Sequence, residues 1–261
     1  MVGQGRGREC GQGDIAGPIV ARDPESLLVL QGLLQRGRCS RRVHQLRKIG
    51  RGHARARVGP RGARGSRFAE QRRVNDFVAF KDPSGNNIEL VLRPHHCGRR
   101  YFPSRDAGIT SFSHIGLRTT DPVRDEAFWT KVCNARVSDR IGAAPLLRID
   151  EVHHKIALFP STYPGVQHIN HQVESIDDVM RAWYFLLEQG VKIVFGPGRH
   201  PTSSAMFLYF EGPDGMVYEY STGVRLIKPE DEANYLPRQF PFNAQSFCMW
   251  GAKPDIPEFR D

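Results

Sequence analysis

Two segments that lie 130 residues apart in the chain repeat the same order of residue types. Residues 77–89 read FVAFKDPSGNNIE and residues 207–219 read FLYFEGPDGMVYE, so two Phe, one Pro, one Gly and one Glu coincide. Each copy combines an aromatic-rich run, a Pro-x-Gly turn and a second alternating run, which is the pattern of a β-hairpin. A repeat of this kind predicts a chain built from duplicated modules.

The sequence around and between these hairpins predicts two copies of a module with the order βαβββ. In the first copy, Asp121 and Pro122 cap and begin a short amphipathic helix, and in the second copy Ser175 caps a longer helix that ends at Gly190. The predicted strands are 112–119, 136–141, 146–149 and 154–159 in the first module, and 167–173, 192–195, 205–210 and 216–221 in the second. The predicted fold class is therefore α+β.

Polar residues of the second module follow one another in an order that resembles a known signature. It runs from His200 through Leu208-Tyr209 and the Gly-Pro-Asp-Gly turn at 212–215 to Glu219. This order is similar to that of type I extradiol ring-cleaving dioxygenases, which belong to the vicinal oxygen chelate superfamily. The resemblance covers residues 74–223, and it implies paired βαβββ modules whose eight strands form a metal-binding cup.

The resemblance implies that the metal ligands are His114, His168 and Glu219. Two neutral imidazoles and one carboxylate on one face of non-haem Fe(II) leave the other positions open for substrate and oxygen. Mn(II) is the alternative metal. His168 and His171 are three residues apart on a predicted strand, so their side chains point to opposite faces and only one can enter the cup. The resemblance selects His168 and leaves His171 as a polar or packing residue.

Three further residues match catalytic groups of the same family. His154 matches the acid–base residue, while His200 and Tyr209 match residues that hydrogen-bond the substrate and the oxygen-derived species. Taken alone, such His and Tyr residues are more often structural. The implied reaction is extradiol cleavage of a substituted or bicyclic catechol, such as 2,3-dihydroxybiphenyl, with insertion of both atoms of O2.

One residue departs from the family pattern, and several histidines have no counterpart in it. Gly212 stands where the family has an acidic, amide, Thr or Ala residue, and this predicts altered turn geometry with the chemistry retained. The histidines without a matched role are expected at the surface or in packing. They are His44, His53, His95, His96 and His153.

The first 73 residues differ in composition from the rest of the chain. They hold 16 Arg and one Lys against five acidic residues, and the remaining residues carry a net charge of −3. Their scarcity of apolar residues predicts poor order. A nucleic-acid-binding arm, a disordered extension and the product of a shifted reading frame are the three interpretations. The last is favoured, since Phe68 is the only aromatic residue and the arginines follow no register. No nucleic-acid partner is expected.

Cysteine usage and hydropathy define the expected compartment. Five cysteines without a Cys-x-x-Cys pair indicate neither a disulfide framework nor a zinc knuckle. The chain has no signal-peptide pattern and no run of about 18 apolar residues. We therefore expect a cytoplasmic protein with no membrane partner, which assembles as a homo-oligomer.

These patterns predict four parts of the chain. They are an atypical segment at 1–73, a remnant closing hairpin of an N-terminal module pair at 74–100, a catalytic paired-module domain at 110–223, and a tail at 224–261. The aromatic tail covers the mouth of the pocket, lies at an oligomer seam or simply packs. Two alternatives to the dioxygenase stay open: a glyoxalase-type metal isomerase, and a binding protein or inactive remnant of the same fold.

Overall fold

The computed structural model describes residues 27–30, 61–62, 67–94 and 105–260, which form two β-sheets and four short or medium-length α-helices. The expectation of poor order in the N-terminal segment falls mainly on residues outside these ranges. None of the helices in the described ranges has the length and apolar character needed to cross a membrane.

The smaller sheet contains the predicted hairpin. Its strands are β3 (Val74–Lys81) and β4 (Asn87–Pro94), preceded by β1 (Leu27–Leu30), β2 (Arg61–Gly62) and helix α1 (Arg67–Gln71). The hairpin is antiparallel and pairs Ala79 with Glu89. Gly85 in its turn has φ +102°, a conformation that glycine adopts without steric cost.

The larger sheet contains the two predicted modules and part of the tail. The first module consists of β5 (Ile109–Thr119), α2 (Pro122–Val132), β6 (Arg136–Ile141), β7 (Ala144–Arg148) and β8 (Ile156–Pro160). The second consists of β9 (Gly165–Val173), α3 (Ile176–Glu188), β10 (Ile193–Arg199), β11 (Met206–Glu211) and β12 (Val217–Thr222). The tail adds β13 (Arg238–Phe240), α4 (Ala244–Phe247) and 3-10 turns at Pro229–Asn234 and Pro257–Phe259.

Strand order in the larger sheet is β10-β11-β12-β9-β5-β8-β7-β6-β13. The eight module strands are contiguous, as the paired-module fold predicts, and the tail strand β13 is added beside β6. The first strands of the two modules, β5 and β9, pair antiparallel at the centre and bring Gly116 opposite His168. The sheet therefore places the two predicted histidine ligands on neighbouring strands.

Both predicted helix starts are confirmed. The Asp121 carboxylate accepts a hydrogen bond from the backbone N–H of Arg124 at 3.0 Å, and Pro122 follows at the first helical position. Ser175 and Asp178 form a reciprocal capping box at the start of α3. These bonds satisfy backbone N–H groups that have no partner inside the helix.

The smaller sheet is more complete than the sequence predicts. We expected only the closing hairpin, but the structure adds β1 and β2 and gives the order β1-β4-β3-β2. The two modules have the same order, β5-β8-β7-β6 and β9-β12-β11-β10, with the first strand parallel to the last. The sequence did not predict β1, because this strand is only four residues long and lies beside Arg- and Gly-rich sequence.

The hairpin is held against the first module by a shared apolar core. Ile88 and Leu90 of β4 lie in one buried cluster with Trp129 of α2 and the inner strands β5 and β8. At the hairpin turn, Ser84 donates a hydrogen bond to the buried carboxylate of Asp125, which also accepts one from Thr119 at 2.6 Å. Burial of the apolar side chains in the shared cluster contributes about 25 cal/mol per Å² of apolar surface removed from water.

Candidate metal centre and pocket

Three buried side chains meet where β5, β9 and β12 lie side by side. His114 Nε2 and His168 Nε2 are 2.9 Å apart, and the Oε2 atom of Glu219 lies 3.2 Å from the first and 3.4 Å from the second. The parallel pairing of β9 with β12 sets this arrangement by aligning His168 with Val217 and Asn170 with Glu219. The structure therefore brings together all three residues that the sequence analysis named as ligands.

Burial and mutual contact shift the pKa values of this cluster. Burial lowers the pKa of His114 to about 4, although the Glu219 carboxylate opposes that change. Burial alone would raise the pKa of Glu219, but His114 and the neighbouring imidazoles outweigh it and hold that pKa well below its usual range. The cluster therefore pairs an ionised carboxylate with a neutral imidazole at neutral pH.

The donor set fits a divalent cation. Neither oxygen of Glu219 has a well-formed hydrogen bond from any residue in the described ranges, although the side chain is fully buried. Such a carboxylate needs a partner, because an uncompensated buried charge is costly. Ligand atoms about 2.1 Å from one ion, on one face of its coordination sphere, are themselves about 3 Å apart, close to the distances observed here.

Two residues that the sequence analysis did not name orient His168. The amide oxygen of Gln167 lies in hydrogen-bonding contact with His168 Nδ1, so this nitrogen carries the hydrogen and Nε2 presents its lone pair to the cluster. Gly116, directly opposite on β5, leaves the space that the ring occupies, because a Cβ there would overlap it. The sequence signal for this glycine is its place two residues after His114.

His200 and Tyr209 lie on the Glu219 side of the cluster. The Nδ1–H of His200 donates to the carbonyl oxygen of Phe247 at 2.7 Å, so its Nε2 faces the Tyr209 hydroxyl at 3.3 Å and Glu219 Oε1 at 3.6 Å. Burial, together with the nearby carboxylate, raises the pKa of Tyr209 well above its usual range. Tyr209 therefore keeps its proton and can act as a hydrogen-bond donor.

His154 lies on the other side of the cluster, with its ring centroid 4.1 Å from that of His114. Its Nδ1 is 3.0 Å from Nδ1 of His153, and His153 Nε2 is 2.8 Å from a carboxylate oxygen of Asp139. Of the two locations expected for His153, the surface is excluded and the interior is observed, because the side chain is fully buried, and both ring nitrogens are also hydrogen-bonded. Adjacency to His154 was the only sequence signal for this role.

A pocket opens from this cluster between the module strands and the tail. Its polar lining residues are His114, His154, His168, His200, Thr202 and Tyr209. Its apolar lining residues are Ile141, Leu146, Ala157, Phe159, Phe247 and Phe259. Phe247 and Phe259 belong to the tail, so the tail forms part of the pocket wall. No lysine or arginine is among the lining residues that the structure describes.

The remaining sequence expectations concern the outer face of the second module. His171 lies on the opposite face of β9 from His168 and contacts the rings of Tyr218 and Tyr220, as strand parity predicts. At Gly212 the space that a Cβ would need is taken by the Tyr218 ring. The Tyr218 ring therefore fills the space that a side chain at position 212 would occupy.

The central part of the chain belongs to a known superfamily. Residues 111–220 match the sequence profile of the Glyoxalase/Bleomycin resistance protein/Dioxygenase superfamily, so this region is a domain of that superfamily. Over 202 residues the chain is 26% identical to the iron-dependent extradiol dioxygenase of Rhodococcus jostii strain RHA1, covering 70% of this chain and 65% of that protein. These matches confirm the resemblance drawn from the polar residues.

Two further similarities bear on the metal and the fold. The manganese-dependent 2,3-dihydroxybiphenyl 1,2-dioxygenase of Geobacillus genomosp. 3 is 25% identical over 184 residues, covering 62% of this chain and 58% of that protein. The Mn(II)-bound glyoxalase of Novosphingobium aromaticivorans superimposes with a TM-score of 0.72 at 22% identity, covering 90% of this chain and 73% of that one. The matched regions span 65% and 58% of the two curated relatives, less than two thirds of either.

Proposed function

We propose that this protein is an extradiol dioxygenase that uses Fe(II), or alternatively Mn(II), to cleave catechols with apolar substituents. The convergence of His114 Nε2, His168 Nε2 and the otherwise unpartnered Glu219 carboxylate within 4.8 Å of one another carries this proposal. Two imidazoles and one carboxylate are the donor set of non-haem Fe(II) oxygenases. The similarity to named extradiol dioxygenases supports the same reaction class.

In this proposal His114, His168 and Glu219 hold the ion, and the other residues handle the substrate. When bound, the ion would supply acidification of a chelated catechol and the redox chemistry that activates dioxygen. The single carboxylate and two neutral imidazoles leave the ion with net positive charge, which favours a catecholate. The three ligands come from one side, because β5, β9 and β12 are neighbours in one sheet.

His154 is the residue that we assign to proton transfer. It is buried beside His114 and lines the pocket, so a catechol hydroxyl at the ion lies within its reach. Burial and the neighbouring imidazoles of His114 and His153 lower its pKa well below the usual value. The ring is therefore neutral at neutral pH and can accept a proton.

His200 and Tyr209 serve the opposite side of the bound substrate. The Tyr209 hydroxyl can donate a hydrogen bond to a negatively charged oxygen, and the raised pKa keeps it protonated while it does so. His200 is anchored through Nδ1 to the tail backbone, so its Nε2 keeps a fixed direction toward the pocket. Such fixed donors and acceptors stabilise developing charge without reorganisation.

The pocket lining supports an uncharged substituent on the catechol. Its apolar lining residues offer contacts for an alkyl or aryl group, and no Lys or Arg among the described lining residues could pair with a carboxylate. Burial of an unpaired charge is unfavourable, whereas each buried methylene group contributes about 0.8 kcal/mol. We therefore place 2,3-dihydroxybiphenyl and alkylcatechols ahead of carboxylated catechols.

The test is anaerobic reconstitution of the full-length protein with Fe(II), and separately with Mn(II), followed by exposure to oxygen and a panel of catechols. We expect one ion per chain, a yellow ring-opened product and incorporation of two atoms of labelled oxygen from 18O2. The order of kcat/KM should be 2,3-dihydroxybiphenyl and 3-methylcatechol above catechol, and catechol above dihydroxyphenylacetate.

Two variants make this test specific. His154→Gln should lower kcat by about 100-fold or more, because a general base contributes that much, while the metal content stays unchanged. His171→Gln is the matched control, since His171 lies on the same strand as His168 but on the outer face, and it should retain turnover. Stoichiometric metal binding without ring cleavage of any catechol would contradict the proposed reaction, and preference for dihydroxyphenylacetate would contradict the proposed substrate class.

A further inference from the structure

We propose that Asp139 and His153 form a hydrogen-bonded chain with His154 that fixes His154 in the tautomer whose Nε2 is unprotonated. Asp139 and His153 are then positioning residues, and His154 is the catalytic base that they prepare. The catalytic consequence rests on the proposed dioxygenase function. The hydrogen-bond chain itself does not.

The chain is continuous and shielded from water. Asp139 Oδ2 lies 2.8 Å from His153 Nε2, and His153 Nδ1 lies 3.0 Å from His154 Nδ1. The side chains of Asp139 and His153 are both fully buried, and only 6% of His154 is exposed. The two imidazole rings meet edge to face, with an interplanar angle of 90°. Each nitrogen of His153 therefore has a single defined partner.

The positions of the hydrogens follow from the chemistry of each group in turn. An ionised carboxylate only accepts hydrogen bonds, so His153 Nε2 must carry the hydrogen in the bond to Asp139. A neutral His153 then accepts at Nδ1, and this makes His154 Nδ1 the donor. A neutral His154 with hydrogen on Nδ1 has a free lone pair on Nε2, the nitrogen left for the pocket.

The surroundings keep both the carboxylate ionised and His153 neutral. Burial opposes ionisation of Asp139, but hydrogen bonds from His153 and Arg238 lower its pKa to about 2. Burial lowers the pKa of His153, Asp139 partly reverses this, and the charges of Arg225 and Arg238 lower it further. The positive charges of the two arginines therefore offset the negative charge of the carboxylate, which leaves little electrostatic stabilisation for a second proton on His153.

The C-terminal tail completes this arrangement. The backbone N–H and Nε of Arg238, on β13, donate to Asp139 Oδ1 at 2.9 and 3.1 Å, while its terminal amino group donates to Oδ2 at 2.7 Å. Arg225 donates to Oδ2 at 3.4 Å and to the Tyr235 hydroxyl at 2.6 Å. Arg225 and Arg238 of the tail therefore fix the orientation of the Asp139 carboxylate that bonds to His153.

Histidine tautomers can be read directly by long-range proton–nitrogen correlation NMR on the full-length protein with 15N-labelled histidine, loaded with diamagnetic Zn(II). We expect His153 to carry its hydrogen on Nε2 and His154 on Nδ1. Assignment comes from loss of the respective signals in His153→Gln and His154→Gln. A His154 ring protonated on Nε2 in the wild-type protein would overturn the inference.

Asp139→Asn tests the consequence for catalysis. Two donors of Arg238 hold Oδ1 and only its terminal amino group is bonded to Oδ2, so the Asn amide group takes the place of Oδ2, gives up that one bond to Arg238 and donates to His153 Nε2. The bonds along the chain then reverse, and His154 carries its hydrogen on Nε2. We expect kcat for 2,3-dihydroxybiphenyl to fall about 100-fold, the size of a general-base contribution, with KM and bound iron unchanged.

Asp178→Asn is the matched control, because Asp178 is also a buried aspartate that pairs with an arginine, but it caps α3 away from the pocket. It should lower stability and leave kcat per folded molecule unchanged. An Asp139→Asn protein that binds iron and keeps wild-type kcat would overturn the positioning role while the dioxygenase function stands. A wild-type protein with the expected tautomers but no ring cleavage would instead overturn the proposed function.

Discussion

The repeated hairpins place two glutamates at equivalent positions with different partners. Glu89 and Glu219 end the two aligned segments, and their exposures are 1% and 0%. The Nε atom of Arg72 lies 2.8 Å from both oxygens of Glu89, and a terminal nitrogen lies 2.7 Å from one of them. Glu219 faces ring nitrogens of His114 and His168 at 3.2 and 3.4 Å.

This difference shows how one backbone position serves either structure or chemistry. Arginine is always charged and offers several hydrogens, so it satisfies the Glu89 carboxylate permanently. Neutral imidazoles offer lone pairs, so Glu219 and its neighbours can share a cation. The strand beside Glu89, β1, contains no histidine, whereas β9 beside Glu219 carries His168.

The first module provides a third version of the same position. In the first module Gly116 pairs with Ala157, which in turn pairs with Leu146. In the second module the corresponding residues are Asn170, Glu219 and Tyr209. At these two equivalent positions the first module therefore has the apolar residues Ala157 and Leu146, while the second has the carboxylate and the tyrosine. Duplication supplied the equivalent positions, and divergence of their side chains gave them different roles in the pocket.

The largest effect is expected from Glu219→Gln, with Glu89→Gln as its matched control. Removal of the Glu219 charge takes away the only carboxylate of the ligand cluster, so bound iron and turnover should fall to background. Glu89→Gln should retain one iron per chain. Metal content after reconstitution and gel filtration decides this, and retained stoichiometric iron in the Glu219 variant would show that the ligand assignment is wrong.

A second large effect is expected from Arg72→Met. This change leaves the Glu89 carboxylate buried without its partner, which should lower the free energy of unfolding by about 2 kcal/mol. The value lies below that of a fully buried pair because the Arg72 side chain is 29% exposed. Urea denaturation measures the loss, and the double variant with Glu89→Gln should recover part of it. Loss of bound metal in this variant would mean that the two glutamates are not independent.

Ala157→Leu tests the apolar side of the comparison. The larger side chain enters the pocket at the position where the second module has Glu219. We expect KM for 2,3-dihydroxybiphenyl to rise about 10-fold and KM for unsubstituted catechol to rise much less. A change of one methylene group in an apolar pocket typically changes substrate discrimination by about 10-fold or more. An equal rise for both catechols would mean that the substituent does not contact this wall.

The smallest effect is expected from Gly212→Asp, which copies Asp82 of the first hairpin. Asp82 accepts hydrogen bonds from the backbone and side chain of Asn86 at 2.8 Å, whereas at Gly212 the Tyr218 ring must move to make room. New hydrogen bonds of the Asp82 type would stabilise the turn and movement of the Tyr218 ring would destabilise it, so the free energy of unfolding should change by about 1 kcal/mol or less. Turnover should be unchanged. A large loss of turnover would show that this turn positions Glu219.

Local patterns of the sequence determined the modules, and the family resemblance of the polar order indicated the ligand set. Alternation and helix caps placed most strands and both long helices, because side-chain periodicity and capping act over a few residues. Strand parity separated His168 from His171 for the same reason. Recognition of His114, His168 and Glu219 also needed the resemblance of the polar order, since an isolated His or Glu has no unique role.

Only the tertiary structure decided which residues support the site. Gln167 and Gly116 act through contact with one ring, and the chain from Asp139 through His153 to His154 is closed by Arg238, which lies 99 residues from Asp139. Strand β1 also became visible only through its pairing with β4. Hydrogen bonds and steric fits of this kind depend on how distant strands are placed against each other, and no local pattern in the sequence encodes that placement.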